Sequence, residues 1–131
     1  MRLKLGLMVA FLIVAGAAPA LAQANCALPI PPAAPDGRTA SQQQITAAVS
    51  DAKNFIAQSD VYQNCLLDYV KTQKEEAAKA MADRDNKDKK PFDPYVETMI
   101  QKQIDSNQAA KIRTGAEINT AVNDYKMAHP K

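Results

Sequence analysis

Two cysteines, one histidine and a few acidic groups are the residues of this chain whose types and spacing bear on chemistry. Cys26 and Cys65 are an even pair, which in an oxidising compartment favours a single disulfide. They lack the C-x-x-C spacing that tunes a thiol for redox work. His129 stands alone beside the C-terminus, which rules out a multi-histidine metal centre and disfavours a Ser–His–Asp or Cys–His machine. Asp83, Asp85, Asn86 and Asp88 suggest a calcium loop at first sight. Counted from Asp83, however, Asp88 and Pro94 occupy the places where an EF-hand needs glycine and a bidentate glutamate. Arg84, Lys87, Lys89 and Lys90 oppose a cation further. Glu75, Glu76 and Glu97 have Lys71, Lys74 and Lys79 as neighbours, which reads as exposed ion pairing. With only Gly37 and Gly115 beyond the first two dozen residues, no phosphate-cradling loop exists. The expectation is a non-enzymatic protein with no catalytic residue, metal or cofactor.

Residues 1–22 read as a secretory signal peptide, with cleavage near 22–24. Arg2 and Lys4 form its positive start, Leu5 to Ala18 its apolar run, and Ala20-Leu21-Ala22 its small-x-small site. The run is too short for a bilayer span, so no membrane span is expected after cleavage. Gln23-Ala24-Asn25 before Cys26 match a lipobox poorly. The expected location is the periplasm or outside the cell. Of the 16 basic residues, Arg2 and Lys4 leave with the leader, which balances the rest against the 14 acidic ones. That neutrality argues against nucleic acid or an anionic membrane surface as partner.

The remaining chain suffices for one domain with a narrow core. Residues 25–38 hold Pro29, Pro31, Pro32 and Pro35, which dictate an extended, polyproline-like arm ending in a Pro35-Asp36-Gly37 turn. Residues 39–131 then predict a helical hairpin. The first helix runs from about 40 to 84, with a capping box at Thr39/Gln42 or Ser41/Gln44. Its seam is heptad-like, as in a coiled coil: Ile45, Ala48/Val49, Ala52, Phe55/Ile56, Ser59, Tyr62, Leu66, Tyr69/Val70, Gln73, Ala77 and Ala80/Met81. A charged connector follows, and Asp93-Pro94 starts a second helix over about 93–128, with its stripe at Val96, Met99/Ile100, Ile104, Asn107, Lys111, Thr114, Ile118, Ala121/Val122 and Tyr125. The fold class is therefore all-α, two long antiparallel helices with an extended Pro-rich N-terminal arm.

Lengths support a disulfide between Cys26 and Cys65. Thr39 to Cys65 rises roughly 39 Å as helix, and Cys26 to Thr39 spans roughly 40 Å as polyproline. An arm running back along the first helix therefore brings the two cysteines together. Leu28 and Ile30 are expected to cover apolar surface that the hairpin leaves open. Folding symmetrically about residue 88 sets Val70 near 106 and Ser59 near 117. Ser59, Gln63, Asn107, Lys111 and Thr114 then form a polar layer between the helices, the candidate interaction site. Gly115, in mid-helix, marks either a close helix approach or a tolerated defect.

A leader, a cysteine in a proline arm ending P-D-G-R-T-A-S, Y-x-x-C from Tyr62 to Cys65, and D-P before a second helix together form a pattern. It resembles small exported helical-hairpin proteins of Gram-negative, mostly proteobacterial, bacteria that carry no assigned activity. The resemblance covers nearly all of the chain after the leader. It implies a disulfide-linked hairpin and carries over no catalytic residue. The expected role is protein–protein interaction or self-association in the cell envelope. A weak second stripe of Ala109, Ile112 and Ala116 would be covered in a homodimer. The alternative is a small-molecule or metal carrier using the polar layer.

Overall fold

The structure, a computed structural model, describes residues 25–130; the expected signal peptide lies outside them. Two helices account for the architecture, α1 (Gln42–Ala82) and α2 (Pro94–Ala128), packed against each other, with no strand among the described residues. Of the two capping boxes the sequence allows, Ser41/Gln44 forms. The Gln44 N–H donates to the Ser41 hydroxyl at 3.2 Å, and the Ser41 N–H donates to the Gln44 side chain at 2.8 Å. Two donors that α1 would otherwise leave orphaned are satisfied in this way. Thr39 belongs to the preceding turn, whose amides at Thr39 and Ala40 donate to the Asp36 carbonyl. Asp93 caps α2 by accepting from the Tyr95 N–H at 2.9 Å, with Pro94 at the first helical position. Both helices fall within two residues of their expected bounds.

The buried helix residues all fall on the expected stripes, and other members of those stripes, such as Val49, Ile56, Val96, Ile104 and Lys111, are half-buried. Ile45, Ala48, Ala52, Phe55, Ser59, Tyr62, Leu66 and Val70 face inward from α1, and Ile100, Asn107, Thr114, Ile118 and Ala121 from α2. Burying a side chain such as Leu66 contributes about 1.5–3 kcal/mol. The apolar contacts fall into separate clusters. Tyr62, Leu66, Val70 and Ile100 form one near the connector; Ala48, Ala52 and Ile118 form another; Ile45, Ala40 and Ala121 close the far end.

Register departs from the symmetric expectation. Ser59 meets Asn107 rather than residue 117, Val70 packs with Ile100 rather than residue 106, and Lys74 pairs with Glu97. These pairings centre the reversal near Arg84 instead of Asp88. The cause is the connector, which does not loop out evenly. Asp88, Lys90, Pro91 and Phe92 lie back beside Gln73, Ala77 and Ala80, so the end of α1 overhangs the start of α2. Phe92 packs against the first apolar cluster, and the Lys74 ammonium sits 5.4 Å from its ring centre. An apolar side chain within the charged stretch pulled that stretch onto the helix.

The residues before α1 carry no helix. Cys26 and Cys65 are joined as a disulfide with Cα atoms 5.9 Å apart. Between there and α1 the chain crosses the hairpin: Ala34 packs on the Ala48–Ala52–Ile118 cluster, and Gly37 is buried against α2. Cys26, Pro29, Pro32 and Pro35 are the half-buried positions of that crossing, together with Ala34. That spacing of three is the polyproline repeat, which returns to the same face every turn. Leu28 and Ile30 fall off that face, and the expectation that they cover the hairpin fails; they are 66% and 86% exposed. Gly115 also resolves: a Cβ there would meet nothing within 4 Å, so it marks no close approach.

Candidate functional site

Helical spacing sets Ser59 and Gln63 one turn apart on α1, and the observed register brings Asn107 of α2 to both. Asn107 is 3% exposed and Ser59 is fully buried. The Asn107 side-chain amide donates to the Ser59 hydroxyl at 3.2 Å, and its oxygen accepts from the Gln63 amide at 2.8 Å. Gln63 also reaches the Gln108 side chain at 3.4 Å. One turn away, the Tyr62 hydroxyl donates to Gln103 at 3.3 Å. Burial raises the Tyr62 pKa above the ordinary phenolic value, because the phenolate would lose solvation. These groups form an amide chain through Ser59, Asn107, Gln63 and Gln108 and a separate Tyr62–Gln103 pair across the helix interface.

The other two expected members sit apart from it. Lys111 turns to the flank of α1, where its ammonium pairs with Asp60; the lysine is mostly covered and the carboxylate largely exposed. Such a half-solvated pair contributes about 0.2–1 kcal/mol. Thr114 is buried, but it lies seven residues, roughly 10 Å along the axis, from Asn107. The five residues therefore do not make one pocket. Ser59, Gln63 and Asn107 meet, Lys111 flanks them, and Thr114 belongs to the next layer. Asp60 and Gln103 were not expected. Gln103 had a signal, since it stands four residues before Asn107 and so shares its helix face.

Chemically this layer is closed. Among the described residues no buried side-chain nitrogen or oxygen lacks a hydrogen-bond partner. The Asn107 oxygen and amide are both engaged, which leaves a cargo no preformed polar anchor there. What the arrangement does is select register. Sliding α2 by one turn would bury Asn107 against apolar side chains, at a cost of about 1–3 kcal/mol for an unpaired buried amide. A single buried asparagine fixes alignment in coiled coils for the same reason.

Nothing else in the described region gathers reactive groups. No three His, Cys, Asp or Glu side chains there sit together as metal ligands. His129 stacks on Tyr125 at 4.4 Å, with Nδ1 3.0 Å from the Tyr125 carbonyl at the end of α2. No helix among the described residues is long and apolar enough to cross a membrane. Of the open grooves on the described surface, two have mainly apolar walls. One lies between the helices over Val70, Ile100 and Ile104, with Lys74 and Glu97 on its rim. The other lies between the arm and α1, lined by Ala27, Leu28, Pro29, Ile30, Ala57 and Val61. Comparison of the chain with protein-family models, curated proteins and solved structures found no match.

Proposed function

We propose that this chain is an exported, non-enzymatic helical hairpin of the periplasm or the extracellular space. It works by protein–protein contact in the cell envelope, self-association included. The observation that carries the reading is the division of labour among side chains. The polar groups between the helices are spent on each other, while Leu28, Ile30, Val61, Leu67 and Ile112 stand more than half exposed. Apolar side chains left outside a narrow two-helix core gain by being covered. The leader at residues 1–22, the disulfide and the likeness to exported Gram-negative hairpins support the location. The carrier reading draws less support, because the amides that would hold a cargo are already committed.

Amine-reactive crosslinking in intact cells, followed by purification under denaturing conditions, tests this. Specific adducts with envelope proteins or with itself, absent from an unrelated exported control, are the expected result. A chain recovered only as uncrosslinked cytoplasmic protein with its leader intact would overturn both role and location.

A further inference from the structure

The arm is fastened to the hairpin in two unlike ways. Gly37 and Ala34 are packed into it, against Ala121 and against the Ala48–Ala52–Ile118 cluster. Toward its beginning the arm has one strong fastening, the Cys26–Cys65 disulfide. Among the described residues, none from Cys26 to Pro35 makes a hydrogen bond or an ion pair. Ala27, Leu28, Ile30, Pro31 and Ala33 are exposed. Cys26 packs on the cluster of Tyr62 and Leu66, yet both cysteines are half-buried rather than enclosed. Cys65 stands beside the inward seam of α1, not in it. The helix caps and the Asn107 layer are made without either cysteine.

We infer that this disulfide is a latch on the arm, opened and closed by dithiol–disulfide exchange while the hairpin stays folded. The pair is the substrate of that exchange, not its catalyst, and the co-reactant is a dithiol. One thiolate of the dithiol attacks the sulfur of one cysteine. The S–S bond breaks, and its electron pair leaves with the other cysteine, which takes up a proton. The second thiolate then attacks the mixed disulfide and frees the first cysteine as a thiol. The dithiol departs as its own disulfide, so two electrons and two protons have passed to the chain. A monothiol stalls after the first step, because the freed cysteine, held close, reverses it. Where the arm is anchored confines what opening changes. Residues 26–33 leave α1 and bare the Cys26 side of the Tyr62–Leu66 cluster, while Ala34 and Gly37 stay packed. Ala34 is eight residues from Cys26, so a freed Cys26 stays within roughly 25 Å of it. The chain has no third cysteine, and closure re-forms the same bond. Redox state thereby sets whether the flank of Tyr62 and Leu66 is covered.

Reduction of the leader-free, disulfide-bonded protein by dithiothreitol in native buffer tests the latch. Thiols are counted by mass after alkylation, helix by circular dichroism, and the arm by limited proteolysis. The expected result is two thiols with an unchanged helical signal. Cleavage should quicken at least about tenfold within residues 26–33 but not in α1. Oxidised dithiothreitol should restore both the mass and the protection. Asn107→Ala, outside the arm's contacts, separates opening of the latch from opening of the whole fold. It raises the unfolded population at least about fivefold, and low urea does the same to the wild type. Reduction rates unchanged by either are expected. Rates that climb with the unfolded population would overturn the latch and leave a purely structural cross-link. Helix lost together with the bond, or interchain dimers on reoxidation, would overturn it as well. None of these outcomes bears on the proposed contact role, which crosslinking in cells decides, so the two readings fail separately.

Discussion

Replacing Cys26 and Cys65 together by serine removes the cross-link without leaving a reactive thiol. The cysteines stand 39 residues apart. For a loop of that size the chain-entropy account gives a destabilisation of about 4 kcal/mol, since the unfolded chain regains its freedom. The structure lowers that figure. Gly37 remains against Ala121, and Ala34 against Ala48, Ala52 and Ile118, so the crossing keeps a second attachment. Only the stretch before Ala34 is released, and the freedom it regains in the native state offsets part of that loss, less so where proline is already restrained. The lost contacts of Cys26 with the Tyr62–Leu66–Val70 cluster offset part of that gain. The expected net loss is about 2–3 kcal/mol, or a melting point lower by about 10–15 °C. Urea unfolding followed by far-ultraviolet circular dichroism measures it. The native helical signal should be unchanged, and limited proteolysis should quicken within residues 26–33 but not in α1. Wholesale loss of helix in native buffer, or a change below about 0.5 kcal/mol, would refute the reasoning.

The two glycines give opposite expectations under the same substitution. At Gly37 a Cβ would overlap the Ala121 carbonyl and the Asp124 side chain, so Gly37→Ala should destabilise by about 1–3 kcal/mol in thermal unfolding. Gly115 has open space, so Gly115→Ala should stabilise by about 0.5–1 kcal/mol in the same assay. Asn107→Ala removes the partner of a fully buried hydroxyl and should lower stability by about 1–3 kcal/mol in urea unfolding. Double substitution with Gln63→Ala should add much less than the sum of the two, because both remove the same bond.

Much of the hairpin was legible in the residues because helix ends are local events. Ser41 with Gln44, and Asp93 with Pro94, satisfy or remove donors within a few residues, and no distant contact is needed to make them caps. The inward seams were equally readable, since a period near 3.6 fixes which side chains share a face. The meeting of Cys26 with Cys65 followed from matching two lengths. The arm also carried a readable repeat, Cys26, Pro29, Pro32 and Pro35, that places Leu28 and Ile30 outside; counting residues by hydrophobicity alone hides it.

Register, by contrast, was decided only in three dimensions. Nothing local says that Phe92 leaves a charged connector to join the core, yet that contact draws the reversal toward Arg84 and sets Ser59 opposite Asn107. The same displacement separates Thr114 from the amide chain and gives Lys111 to Asp60. Gly37 has no sequence signal for its role either, because the need for a missing Cβ arises from the backbone of Ala121, far along the chain. Caps and seams depend on neighbours in sequence, and the residues fix them. Alignment between helices depends on how the clusters and one buried asparagine are satisfied together, and only the packed molecule sets that balance.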